Sequence, residues 1–179
     1  MCLSEEDAEL FFKLFFLLIK YTNSVYNNEK SLKKLKREEV DNLGKLKEAA
    51  DILWKNTSLI DDYLKKDTTL SEREVNIIKS WKRCVPGIYI VERFLKKGAV
   101  FVGKKDCYIV SGISNPIEDT LMFCTLPVVM QATLLPFEKC IITDGLLSLG
   151  QISIGPGMKK GFKEIYMKAK KSGNLHTTL

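Results

Sequence analysis

The chain has 179 residues, is 45% hydrophobic, and carries 28 Lys/Arg against 22 Asp/Glu for a net charge of +6. That length suits one compact domain, or one with a helical annex, burying about 70% of its unfolded surface without covalent staples. Five Cys at positions 2, 84, 107, 124 and 140 are an odd count with no close pairs, which fits a reduced, cytoplasmic protein.

The first eighty-odd residues read as helices. Ser4 caps the first, with Glu5, Glu6 and Asp7 in its opening turn, and the apolar pattern runs to about Tyr26. Its run from Leu10 to Ile19 is too short to span a bilayer, which takes about 20 apolar residues, and its acidic start does not suit a signal peptide. A second helix is expected from about Glu29 to Trp54, with Leu32 and Leu35 facing inward among solvated lysines. A third fits Ser58 to Lys65, and a fourth opens with the capping box Ser71-Glu72-Arg73-Glu74. Pro86-Gly87 is read as its end.

From Ile88 the period changes to that of strands. Ile88–Val91, Ala99–Val102 and Cys107–Val110 are β-branched and aromatic, separated by Lys-Lys-Gly and Gly-Lys-Lys turns. Residues 127–135 form a longer strand. Cys140–Thr143 and Leu146–Ile154 are expected to make a hairpin about Asp144-Gly145, a dipeptide suited to a type I′ turn. A closing helix from Gly157 to about Lys171 is expected to bury Met158, Phe162, Ile165, Tyr166 and Ala169. The fold class is therefore α+β. N-terminal helices (1–86) pack on a small, strongly curved antiparallel sheet or barrel that ends in a C-terminal helix (87–179).

The segment from Leu134-Leu135-Pro136-Phe137 through Cys140-Ile141-Ile142-Thr143 to Asp144-Gly145-Leu146 resembles a recurrent C-terminal segment of small bacterial proteins. The likeness covers about half the chain, from Trp81 onward. It implies a fold and brings no activity, cofactor or catalytic residue with it.

Among candidates for chemistry, Ser153-Ile154-Gly155-Pro156-Gly157-Met158-Lys159-Lys160-Gly161-Phe162 looks like a phosphate cradle. The Gly157 to Gly161 spacing is one residue too long for a dinucleotide fingerprint. Gly161 is followed by Phe162 and not by the Lys of a P-loop, and Pro156 removes a backbone donor. It reads as a turn into a helix, with weak anion binding at the Gly157 end as the remaining role. No Cys-x-x-Cys occurs and the only His is His176, so neither a metal site nor a His-assisted nucleophile is expected. The pairs Asp61-Asp62 and Glu118-Asp119 read as helix first-turn acids. No enzyme and no cofactor is expected.

Two functions remain open. The first is a protein-interaction module, self-associating or binding a protein partner through a first helix whose Phe11, Phe12, Phe15 and Phe16 cover more than one stripe. The second is a sequence-independent binder of nucleic acid or another polyanion. Residues 87–179 carry twelve Lys/Arg against seven Asp/Glu, and the excess lies on the closing helix. There Lys159, Lys160, Lys163, Lys168 and Lys171 project as a broad patch beginning near Gly157.

Overall fold

The computed structural model describes residues 1–26, 29–33, 35 and 42–179. They divide into a helical unit, Glu5–Lys82, and a β unit made of Met1–Ser4 with Arg83–Leu179. The boundary precedes the expected one because Val85 already opens a strand, and Pro86-Gly87 lie inside it. Pro86 stands opposite Thr133, whose carbonyl accepts the Asp144 N–H on its far side. The proline nitrogen therefore faces the unpaired edge of the strand, where its missing N–H costs no ladder bond.

In the helical unit, α1 (Glu5–Tyr26) starts with three acids in its first turn, where the helix dipole favours them. A 3-10 turn, Lys30–Leu32, is separate from α2 (Leu43–Lys55), which has its own cap in Asn42. One continuous helix from Glu29 is therefore not formed, and expected positions 34 and 36–41 lie outside the described residues. Leu32 and Leu35 are buried as expected. Next come α3 (Ser58–Lys66) and α4 (Glu72–Ser80), the latter with both halves of its capping box formed.

The core of this unit is aromatic. Phe11 stacks on Phe15 at 5.6 Å, Phe11 meets Trp81 edge-on at 5.6 Å, and Phe15 stacks on Trp54 at 6.2 Å. Each such side chain gains roughly 1.5–3 kcal/mol from burial. Phe11, Phe15 and Phe16 are buried and Phe12 is half-buried. Part of the wide apolar face of α1 is thus covered by Trp54 and Trp81 of the same unit.

The β unit contains β1 (Val85–Leu95), β2 (Gly98–Val102), β3 (Cys107–Val110), α5 (Ile117–Thr120), β4 (Val128–Phe137), β5 (Cys140–Thr143), β6 (Ser148–Leu149), α6 (Pro156–Ser172) and β7 (Leu175–His176). β4 pairs with β1, so strands 4-1-2-3 lie side by side as a Greek key. β5 then bridges β4 and β3, closing a ring of five strands. The sheet is mixed where an antiparallel one was expected. β5 returns antiparallel along β4, so it runs the same way as β3, and they meet in parallel at Val110 and Ile141. Phe101, Val110, Met130, Leu134 and Ile141 fill the ring, with Ile117 and Leu121 from the α5 region packed among them.

The turn after β4 lies at Glu138-Lys139, with Glu138 at φ 51°, and not at Asp144-Gly145. β5 and β6 both pair with β4. Between them Gly145 takes φ 79°, its N–H donates to Thr143 Oγ1 at 3.3 Å, and Leu146 N–H donates to Asp144 Oδ1 at 3.1 Å. The left-handed preference of Asp-Gly is spent on a kink within one edge, and no hairpin forms there.

α6 is capped by Gly155, carries Pro156 in its first turn and stops at Gly173 in the left-handed conformation. Tyr166 and Ala169 pack on Val100, Val102 and Cys107, the outward side of β2 and β3. The Arg93 guanidinium sits 4.6 Å over the Tyr166 ring. Phe162 is half-buried, while Met158 and Ile165 stay 48% and 47% exposed, contrary to expectation. A 17-residue helix is about 25 Å long and a five-residue strand about 17 Å, so the first turns of α6 run past the sheet. Among the described residues, no helix is long and apolar enough to cross a membrane.

Candidate polyanion-binding surface

The turn from β2 to β3 is closed by Gly103 N–H donating to Asp106 O at 2.9 Å, which leaves Lys104 and Lys105 exposed at its tip. Two hollows meet at this turn. On one side is a cleft of about 420 Å³ between the turn and the start of β1, lined by Pro86, Gly87, Ile88, Tyr89 and Tyr108 as well as the lysines. On the other is a groove of about 290 Å³ toward α6, where Lys168, Ser172 and Asn174 join Lys104 and Lys105. Lys168 and Ser172 also border a shallow hollow that reaches Lys171.

The cleft is rigid. Tyr89 is buried, and its hydroxyl donates to Val85 O at 2.7 Å. A Cβ at Gly87 would lie 3.2 Å from that ring and one at Gly103 3.4 Å, so glycine at both positions lets the ring sit between them. Tyr108 meets Tyr89 edge-on at 6.0 Å, and His176 of β7 lies 5.6 Å from Tyr108 on a tilted plane. His176 Nε2 is 3.2 Å from Asp106 Oδ1. Burial pushes both tyrosine hydroxyls above their ordinary range, so the aromatic lining is uncharged and does not repel an anion.

Ion pairs in the helical unit join Lys13 with Glu74, Lys45 with Glu48, Lys47 with Asp51, Lys65 with Asp62, Arg73 with Asp7, and Lys82 with Asp61. In the β unit the ion pairs among the described residues are Arg93 with Glu92 and His176 with Asp106. Lys104, Lys105, Lys168 and Lys171 form none of these ion pairs, although Asp106 lines the cleft with the first two and Glu164 borders the shallow hollow with the last two. Glu118 and Asp119 stand in the short helix α5, as the sequence suggests.

Of the basic residues picked out from the sequence, Lys168 and Lys171 join these hollows. Lys159, Lys160 and Lys163 are exposed on the overhanging turns of α6 and line none of them. Gly157 is the second residue of the helix, with nothing within 4 Å of a Cβ. Tyr89 and Tyr108 line one cleft with Lys104 and Lys105, so aromatic rings and cations share a wall there. The Gly103-Lys104-Lys105 turn between two Tyr-bearing strands was the available signal. Among the described residues no group of three or more His, Cys, Asp or Glu is placed to hold a metal ion. No family model, curated protein or solved structure matches the chain.

Proposed function

We propose that this protein is a cytoplasmic, non-enzymatic binder of single-stranded nucleic acid that holds the strand by its phosphates without reading sequence. The observation that carries this reading is the joined pair of hollows in which Lys104, Lys105 and Lys168 stand together, none of them held in an ion pair. Lys is a point charge suited to phosphate and poor at bidentate base reading. A groove flanked by cations and aromatic rings matches the general design of single-strand sites.

The five-strand Greek-key ring is similar in plan to the OB-fold, whose strand 2–3 face binds oligonucleotides. That likeness supports the class of fold more than the function, because here α6 covers the corresponding face. The proposed track runs instead along the β2–β3 turn and the exposed side of α6.

Fluorescence anisotropy with a labelled single strand of about 16 nucleotides tests the proposal. Affinity should fall with salt by about 0.7 log units per phosphate contact per log unit of salt, and K104Q/K105Q/K168Q should flatten that slope. Absence of binding at low salt overturns it.

A protein partner is the second reading, supported by a surface away from α1. Phe123 is 96% exposed and Met122 67%, in the segment just after α5. A change in sedimentation on F123S would support it, and a monomer unaltered by that substitution would not.

A further inference from the structure

We infer that the cleft between the start of β1 and the β2–β3 turn is a nucleobase subsite, in which one base of a bound strand lies against Tyr108 while a neighbouring phosphate meets Lys104 or Lys105. This rests on the single-strand reading and adds to it a contact that phosphates alone do not make.

The cleft's composition differs from that of a phosphate trap. Its volume of about 420 Å³ falls in the range of roughly 300–1,000 Å³ typical of small-molecule sites. Pro86, Ile88 and the two tyrosines give it apolar walls. Ile88 is 69% exposed, an apolar lip facing solvent beside two cations. Apolar walls do nothing for a hydrated phosphate, whereas a planar base gains from being taken out of water against them.

The ring that receives the base is held in place before binding. Tyr89 is fixed by its hydrogen bond to Val85 O and supports Tyr108 edge-on, while His176 packs against Tyr108 from β7. Little side-chain freedom is left to lose when a base arrives.

Asp106 is the discriminating feature. A carboxylate at the wall of this cleft repels phosphate, so it has no place in a purely electrostatic site. One of its oxygens, Oδ1, is engaged by His176. The carboxylate as a whole is an acceptor for the N–H groups of a base edge, as carboxylates are for the cytosine amino group. The ligand class is therefore a base that carries an exocyclic amino group, presented by a flexible single strand. A duplex keeps its bases stacked and cannot insert one without unstacking.

The test compares, at fixed moderate salt, a cytosine homopolymer, a uracil homopolymer and an abasic strand of equal length. The base-bearing strands should bind about tenfold or more tighter than the abasic one, in keeping with one stacked base, and cytosine should lead uracil. Y108L should erase the advantage over the abasic strand, Y108F should keep it, and the salt slope should not move in either. D106A, which removes the acceptor, should remove the preference for cytosine. Should Y108L fail to fold, I88E at the exposed lip serves in its place, since it leaves the ring interior untouched, and it should also erase the advantage. Equal binding of abasic and base-bearing strands, with the lysine substitutions still effective, would overturn the base subsite and leave the phosphate reading standing. If no strand binds, both fall together.

Discussion

Lys13 of α1 and Glu74 of α4 are joined at 2.5 Å, and the same carboxylate accepts from the Ser71 N–H at 2.8 Å and the Ser71 hydroxyl at 2.9 Å. One side chain thus ties two helices together and closes the start of the second. The Lys13 bond, followed by those from Ser71, holds the Glu74 carboxyl down at about 2 against an ordinary 4.5. A carboxyl whose folded value is depressed adds stability that is complete above its unfolded value and lost as pH falls toward the folded one. Replacing Glu74 with Gln should therefore lower the melting temperature at pH 6, and the gap from wild type should shrink between about pH 4.5 and pH 2. Thermal melts by circular dichroism would show it. A gap independent of pH would mean that the Lys13 pair contributes nothing.

Two glycines in the β unit should respond in opposite directions to alanine. Gly98 opens β2 at φ 138°, and a Cβ there would lie 2.3 Å from Val110 O. The clash is with backbone, so G98A should cost about 1–3 kcal/mol or more. Gly161 lies inside α6 with nothing within 4 Å of a Cβ. G161A should stabilise by about 0.5–1 kcal/mol, the usual difference between Gly and Ala inside a helix. Denaturant titration of both variants checks the pair. A destabilised G161A would show that α6 is constrained by something other than its own backbone.

These two glycines also show where sequence reading works and where it stops. Local signals carried over: the Ser71 capping box, the Gly-Pro-Gly entry to α6 and the period-two strands from Ile88 all appear as expected. Each is decided within a few residues. Asp144-Gly145 misled because the same dipeptide serves a hairpin or a kink, and the choice depends on whether β6 pairs with β5 or with β4. The Phe-rich face of α1 looked too wide for one chain because Trp54 and Trp81, which cover part of it, are distant in sequence. The candidate cleft was hidden for the same reason. Tyr89 and Lys104 belong to different strands and turns, and only pairing of β1 with β2 brings them to one wall.

Thiol chemistry offers a separate check on the core. Burial raises the Cys107 thiol above its ordinary value, so it is held protonated under α6. Since the thiolate is the nucleophile, Cys107 should label with maleimide far more slowly than half-exposed Cys2 or Cys124 in the native protein. Mass spectrometry of partly labelled protein distinguishes them. In Y166A, which uncovers the outer face of β2, labelling of Cys107 should accelerate. Equal rates for all three in the wild type would mean that α6 does not stay docked on the sheet.

The contrast between matched and unmatched lysines gives the sharpest test of the electrostatic argument. Lys47 is joined to Asp51 on α2, whereas Lys168 borders the groove and is held in none of the ion pairs of the β unit. Both are single positive charges, so replacing either with Gln changes the net charge equally. If binding follows overall charge, K47Q and K168Q should weaken single-strand affinity alike. If it follows the groove, K168Q should lower affinity and reduce the salt slope by about 0.7, while K47Q leaves the slope unchanged. K47Q should cost on the order of 0.5 kcal/mol of stability, as i,i+4 helix pairs do, so misfolding does not confuse the comparison. Affinity measured across a salt series for both variants decides between the two. Matching losses would place the interaction in the diffuse field of the whole chain and remove the groove as its site.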